Sequence, residues 1–239
     1  MLRNVAIPVT DEFAGLKINE IFYSLQGEAL TAGLPTVFIR LIGCPLRCVY
    51  CDTAYAFSGG VRMSLDAILQ TVVEYPCKRV CVTGGEPLAQ PNCIPLIRRL
   101  LKAGYDVSLE TAGALSIADV PTAVSRVMDI KTPSSGEMDK NLWSNVAYLT
   151  EHDQLKFVIM NRADYDWAKQ MVTEHQLADK VGVVWFSPMF HVEQDADTAE
   201  AVGVPALASQ LADWILADAL PVRFQLQLHK LIWADAKGK

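Results

Sequence analysis

The stretch Gly43-Cys44-Pro45-Leu46-Arg47-Cys48-Val49-Tyr50-Cys51-Asp52-Thr53 sets three thiols apart by gaps of three and then two residues. Thiolates are soft ligands, and three so close in sequence can hold a metal ion or an iron–sulfur cluster. A four-iron cube takes four ligands, and no fourth cysteine follows at a short distance. A cluster held by Cys44, Cys48 and Cys51 alone would therefore leave one iron open to an incoming ligand. The other reading is a structural zinc knuckle, which calls for a fourth Cys or His to close the tetrahedron. Cys77 and Cys81, the nearest candidates, belong to a later segment and strand.

Working outward, apolar runs that read as strands cover residues 36–42, 79–83, 106–110, 126–130, 155–160, 181–186 and 222–228. Helical patterns lie between several of them: one from Ser64, a plausible N-cap, and others over 94–103, 165–175 and 205–219. Strands alternating with helices predict a parallel sheet, here a partial, open TIM-like barrel in a single domain over residues 1–239. Polar segments then fall at the strand ends. Cys44 to Thr53 follow the first strand and Gly84-Gly85-Glu86-Pro87 the second. Glu110-Thr111-Ala112-Gly113 closes the third, and Lys131-Thr132-Pro133-Ser134-Ser135-Gly136 follows the fourth. Ser187-Pro188-Met189 follows the sixth, and Gln227-Leu228-His229 ends the last. Carboxyl ends of parallel strands are where barrels build their sites.

The composition excludes several classes. The 239 residues are 51% apolar and 20% charged, enough for one well-filled core. A net charge of -6 gives no electrostatic footprint for direct binding of nucleic acid or an anionic membrane. No apolar run reaches membrane-spanning length and the first residues lack a signal-peptide pattern, so a cytoplasmic protein is expected. There, six cysteines point to metal ligands or buried thiols rather than disulfides.

The cysteine triplet with Tyr50 before its last member, followed by Gly84-Gly85-Glu86-Pro87 in the right order, resembles the radical S-adenosylmethionine (SAM) enzymes. Within that superfamily, Ile18-Asn19-Glu20-Ile21-Phe22-Tyr23-Ser24-Leu25-Gln26-Gly27-Glu28, Phe38-Ile39-Arg40-Leu41 and Cys51-Asp52-Thr53 closely resemble the 7-carboxy-7-deazaguanine synthase family. The resemblance runs from Ile18 to about Trp233. It implies a lyase that converts 6-carboxy-5,6,7,8-tetrahydropterin to 7-carboxy-7-deazaguanine with loss of ammonia, on the route to deazapurines such as queuosine. It also implies a reduced [4Fe–4S] cluster that cleaves SAM to methionine and a 5′-deoxyadenosyl radical. That radical takes a substrate hydrogen and later returns it.

The same resemblance distributes roles. Cys44, Cys48 and Cys51 would ligate the cluster. Tyr50, Cys51, Asp52, Gly84, Gly85, Glu86, Asp129, Ile130, Lys131, Phe186, Ser187, Pro188 and Met189 would border SAM, with a carboxylate such as Glu86 able to accept from its amine. Thr53 would ligate Mg²⁺, and Leu25, Gln26, Gly27, Arg40 and Thr83 would contact the carboxylated pterin. Partners would be a reductant such as a flavodoxin or ferredoxin, and a second copy in a homodimer.

Each role has an ordinary alternative: an internal salt bridge for Arg40, an N-cap hydroxyl for Thr53, a solvated strand end for Lys131. Gln227, His229 and Lys230 resemble a C-terminal Gln-x-His-Lys segment of the family, with a structural role as the alternative. Cys77, Cys81 and Cys93 form no second cluster, and His152, His175 and His191 carry no signal. The chain departs from the family in residues 1–17, an extension, and at Ala29, where relatives often carry Gly. A radical SAM activase acting on a protein glycine would share the cluster and the Gly-Gly turn but lack the Gln26, Arg40 and Thr53 set. A non-enzymatic iron–sulfur or zinc protein would have no use for that turn.

Overall fold

The computed structural model describes residues 15–190, 206–234 and 236–239; most of the extension, and His191, lie outside them. The described chain opens on β1 (Gly15–Leu25), antiparallel to β2 (Pro35–Leu41) on one side and to β3 (Val61–Ser64) on the other. Ser64 caps α1 (Leu65–Val73), its hydroxyl accepting from Ala67 N at 3.1 Å. From β2 onward every pairing is parallel and follows chain order. The strands are β4 (Arg79–Gly84), β5 (Asp106–Thr111), β6 (Ser125–Asp129), β7 (Gln154–Ile159), β8 (Val183–Pro188) and β9 (Arg223–Phe224). The sheet has nine strands in the order β3-β1-β2-β4-β5-β6-β7-β8-β9, and its two edges do not meet. This is the open parallel barrel expected, with an antiparallel flap at one edge.

Strand periodicity divides the sheet into two chemistries. Val37, Ile39 and Leu41, then Val80 and Val82, Val107 and Leu109, and Leu155, Phe157 and Ile159 belong to the apolar core. That core also holds Leu65, Ile68 and Val72 of α1 and Leu96, Ile97 and Leu100 of α2 (Cys93–Lys102). Tyr165, Ala168 and Val172 of α3 (Arg162–Glu174) and Leu211 and Ile215 of α4 (Ala206–Asp218) complete it. The residues between them on the strands, among them Phe38, Arg40, Thr83, Glu110, Asp129 and Lys156, line a cavity on the opposite face. A strand with one face in the core and the other in a site carries charges that its apolar run conceals.

Two elements differ from expectation at each end. β1 and β3 carry no apolar run, because Lys17, Asn19 and Glu20 of β1 and Arg62 of β3 sit in an antiparallel edge that solvent reaches. The last strand, expected over 222–228, is only Arg223–Phe224. Gln225 N still donates to Phe186 O at 3.1 Å, but its side chain turns away to hold residue 29. Gln227 then caps a short helix, α5 (Leu228–Trp233), rather than ending a strand. The β5–β6 link contains only turns and the β6–β7 link three 3₁₀ segments, in place of α-helices.

Candidate active site

The cysteine loop leaves β2 at Gly43, whose φ of +87° favours glycine. Gly43 N donates to Ala56 O at 2.8 Å, and its carbonyl accepts from Glu86 N at 2.8 Å. The Gly-Gly turn is thus laid directly on the start of the cysteine loop. A Cβ on Gly84 would come within 2.3 Å of Leu41 O, and one on Gly85 within 2.4 Å of Gly43 O and 2.8 Å of Cys44 Cβ. These glycines serve close approach of two backbones. Arg47 wraps the loop from outside, its Nη1 donating to Cys44 O at 2.8 Å and Leu46 O at 2.7 Å. Burial pushes the Cys44 and Cys48 thiols up; Cys51 adds to the rise in both and Lys131 opposes it. All three thiols line the cavity mouth, and among the described residues no three Cys, His, Asp or Glu side chains converge on one point as a ready site for a single ion.

The cavity, about 220 Å³, runs from these thiols to a charged floor laid down by the strand ends. Asp129 and Lys156 are direct partners in the β6–β7 register, and Lys156 Nζ lies 3.3 Å from Asp129 Oδ1 and 2.5 Å from Glu28 Oε2. Lys131 Nζ holds the other Asp129 oxygen at 2.9 Å. Burial alone would raise the Asp129 carboxyl, but Lys131 and Lys156 bring it below its ordinary value. Burial alone would likewise lower the Lys131 ammonium, and Asp129 carries it above the ordinary lysine range. Lys131 is therefore a buried, paired cation and not a solvated strand end. Glu110 accepts from Gln26 Nε2 at 3.2 Å and Thr83 Oγ1 at 3.0 Å. Arg40 Nε donates to Glu20 Oε1 at 2.8 Å, which also accepts from the Tyr55 hydroxyl at 2.9 Å. The internal salt bridge and the cavity-facing position of Arg40 are both real.

Over the cavity sits the C-terminal segment. Leu228 N donates to Gly27 O at 2.9 Å, Gln227 Nε2 to Glu28 Oε1 at 2.5 Å, and Lys230 Nζ reaches Asp52 Oδ2 at 3.0 Å. Burial would raise the Asp52 carboxyl, but Lys230, helped by the Thr53 hydroxyl, holds it well below the carboxylate range. His229 packs on Gly27 so closely that a Cβ there would lie 2.0 Å from Nδ1. Thr53 stands at the cap position of a 3₁₀ turn (Ala54–Phe57) yet makes no capping bond; its Oγ1 donates to Asp52 Oδ1 at 2.8 Å. Ala29 adopts φ +64° and is held by Gln225, which accepts from Ala29 N at 3.0 Å and donates to Ala29 O at 3.3 Å.

One cavity therefore gathers Cys44, Cys48, Cys51, Tyr50, Asp52, Thr53, Gly84, Gly85, Asp129 and Lys131. The same cavity takes in Ser187, Pro188, Met189, Leu25, Gln26, Gly27, Arg40 and Thr83. Three expected SAM neighbours stand behind its wall. Ile130 and Phe186 are core side chains. Glu86 is fully buried, accepting from Ala112 N at 2.6 Å, Leu88 N at 2.9 Å and Thr111 Oγ1 at 2.9 Å. Its carboxylate ties the Gly-Gly turn to β5. Glu28, Glu110 and Lys156 carried no role in the sequence reading; strand alternation around Leu155 and Phe157 is the signal that places Lys156 on the cavity face. Two of the remaining thiols are fully buried, and burial drives Cys93 up to about 12 and Cys81 well above its ordinary value, which disfavours the reactive thiolate in both.

The donor set fits a thiolate-held cluster with SAM beside it. Three soft ligands line the cavity, and the buried Ser187 hydroxyl, which lines it too, has no hydrogen-bond partner among the described residues. An open parallel barrel with this rim defines a protein of the radical SAM class, and the Radical SAM superfamily model matches residues 39–125. The chain is 43% identical over 226 residues to a 7-carboxy-7-deazaguanine synthase of Koribacter versatilis, covering 93% of this chain and 100% of that one. It is 42% identical over 229 residues to the synthase of Chlorobaculum tepidum, covering 94% and 98%. The fold matches the crystal structure of QueE from Escherichia coli with a TM-score of 0.72 at 21% identity, over 92% of this chain and 96% of that one. The chain belongs to the 7-carboxy-7-deazaguanine synthase family.

Proposed function

We propose that this enzyme converts 6-carboxy-5,6,7,8-tetrahydropterin to 7-carboxy-7-deazaguanine with loss of ammonia. The observation that carries the proposal is the single cavity that joins the cysteine rim to Gln26, Arg40 and Thr83. A reduced cluster on Cys44, Cys48 and Cys51 would supply radical initiation by cleaving SAM. The protein's share is placement and exclusion of water. Asp129 and Lys131 form a paired, buried strand end suited to the zwitterionic end of SAM, and Ser187 offers its unused hydroxyl there. Arg40, half-shielded by Phe22 and Tyr55 at 5.7 and 5.8 Å, presents a guanidinium to a substrate carboxylate. Leu25, Gln26 and Gly27 give the neighbouring loop. Thr53 supplies a hard oxygen for Mg²⁺ beside that carboxylate.

The reading extends to a single domain whose working form is a homodimer in the cytoplasm, reduced by a flavodoxin- or ferredoxin-like protein. Among the described residues no helix is long and apolar enough to cross a membrane. The test is an anaerobic incubation of reconstituted enzyme with reductant, SAM, Mg²⁺ and carboxytetrahydropterin, followed by mass spectrometry. The deazaguanine product is expected from the wild type, and neither product nor SAM cleavage from Cys44→Ala, Cys48→Ala or Cys51→Ala. An intact cluster that cleaves SAM and yields no such product overturns the substrate assignment.

A further inference from the structure

The turn over residues 132–137 lies outside the cavity, yet it is the part of the protein that grips the middle of the cysteine loop. Val49 N donates to Ser135 O at 3.0 Å, and Arg47 N donates to Glu137 Oε1 at 2.5 Å. These are the backbone N–H groups of the two residues on either side of Cys48. The loop has no helix or strand to satisfy them, so their partners fix the path of the chain through that residue. Cys44 and Cys51 are placed by other contacts: the Gly43 and Arg47 bonds for the first, and a bond from Cys51 N to Cys48 O at 3.2 Å for the second.

The turn that does the gripping is itself rigid. Ser135 Oγ donates to Thr132 O at 2.6 Å and accepts from Glu137 N at 3.1 Å. Thr132 Oγ1 donates to Val158 O on β7 at 3.0 Å. The fully buried Asp164, in the first turn of α3, accepts from Ser134 N at 2.9 Å and Met160 N at 3.0 Å. Gly136 closes the turn at φ +75°, where only a small residue sits without strain. A chain of bonds thus runs from a core helix to the peptide groups flanking one thiol.

We propose that this turn is a clamp on the cluster loop and that Glu137 is a positioning residue that sets the place of Cys48. The inference rests on the cluster reading above and adds a residue that touches neither cluster nor substrate. Glu137 has a second consequence. Cluster potentials follow local charge and hydrogen bonding, and a carboxylate bonded to the ligand loop disfavours the added electron. Removing its charge while keeping its acceptor oxygen therefore raises the potential without loosening the loop.

The experiment compares anaerobically reconstituted wild type, Glu137→Ala and Glu137→Gln. Iron release to a colorimetric chelator, the EPR signal of the reduced cluster and a redox titration are recorded for each. Loss of one charge-assisted hydrogen bond predicts iron release from Glu137→Ala faster by about ten-fold, with an altered EPR signal. Glu137→Gln, which keeps the acceptor, is expected to release iron at the wild-type rate, with its potential moved upward. Wild-type release and spectra in Glu137→Ala overturn the clamp, as does equal loosening in both variants. A wild type that takes up no iron and sulfide refutes the cluster reading instead, so the two failures are distinguishable. Glu137 is half-exposed, and unfolding of the three apo proteins by urea is expected to coincide.

Discussion

Replacing Lys156 by Met keeps the length of the side chain and removes the ammonium from the charged floor of the cavity. Two carboxylates lose a partner: Glu28, 2.5 Å away, and Asp129, 3.3 Å away. Breaking a buried pair with no compensation costs about 3–5 kcal/mol. Here Asp129 keeps Lys131 at 2.9 Å and Glu28 keeps the Gln227 amide at 2.5 Å, so the loss at pH 7.5 is expected at roughly 2–3 kcal/mol. The pH dependence identifies the cause. Burial alone would raise the Glu28 carboxyl, but Lys156, with His229 and Gln227 nearby, brings it below its ordinary value of 4.5. A carboxyl depressed in the folded state contributes stability above its ordinary value and loses it as pH falls through the folded value. Without Lys156 the largest opposition to burial is gone, and Glu28 binds a proton at higher pH than in the wild type. The gap between wild type and Lys156→Met is therefore widest near neutrality and narrows toward pH 5. Urea unfolding of the apo proteins at pH 7.5, 6.5 and 5.0 measures it, in a His229→Asn background that removes the other ionisable neighbour acting on Glu28. A gap below about 1 kcal/mol at pH 7.5, or one independent of pH, refutes the pairing.

Gly85→Ala forces a methyl within 2.4 Å of Gly43 O, and overpacking of this kind costs about 1–3 kcal/mol; urea midpoints check it, and iron uptake is expected to fall with stability. Ala29→Gly releases a left-handed alanine at φ +64° and is expected to raise stability by up to about 1 kcal/mol, with the Gln225 bonds retained; a lower urea midpoint contradicts the strain. Thr53→Ala removes no capping bond, so it is expected to leave stability within about 0.5 kcal/mol of wild type while weakening the Mg²⁺ dependence of turnover. An unchanged Mg²⁺ titration would remove Thr53 from the ion.

Much of this architecture was legible in the chain, for a local reason. Parallel strands buried on one face read as short apolar runs, and six of the seven expected runs fall on strands within two or three residues of their ends. The cysteine triplet, the Gly-Gly turn and the Gln26, Arg40 and Thr53 set are local patterns too. β1 was not legible as a strand, because it mixes Lys17, Asn19 and Glu20, which solvent reaches, among its apolar residues. The last strand is shorter than expected for a tertiary reason: past Gln225, whose side chain holds Ala29 near the opposite end of the chain, the backbone turns into α5.

The sequence by itself determined the order of the parallel strands, the place of the cysteine triplet and the class of chemistry, because each depends on neighbours a few positions apart. Only the tertiary structure decided what the charged residues do. Glu86 ties the Gly-Gly turn to β5 from a fully buried position, and Lys131, which had a solvated alternative, is a paired cation. Lys156, Glu28 and Glu110 looked ordinary and form the floor of the site. Their roles depend on strand register and on which carboxylate lies opposite each ammonium. Those distances are set by residues up to 128 positions apart, which no local pattern records.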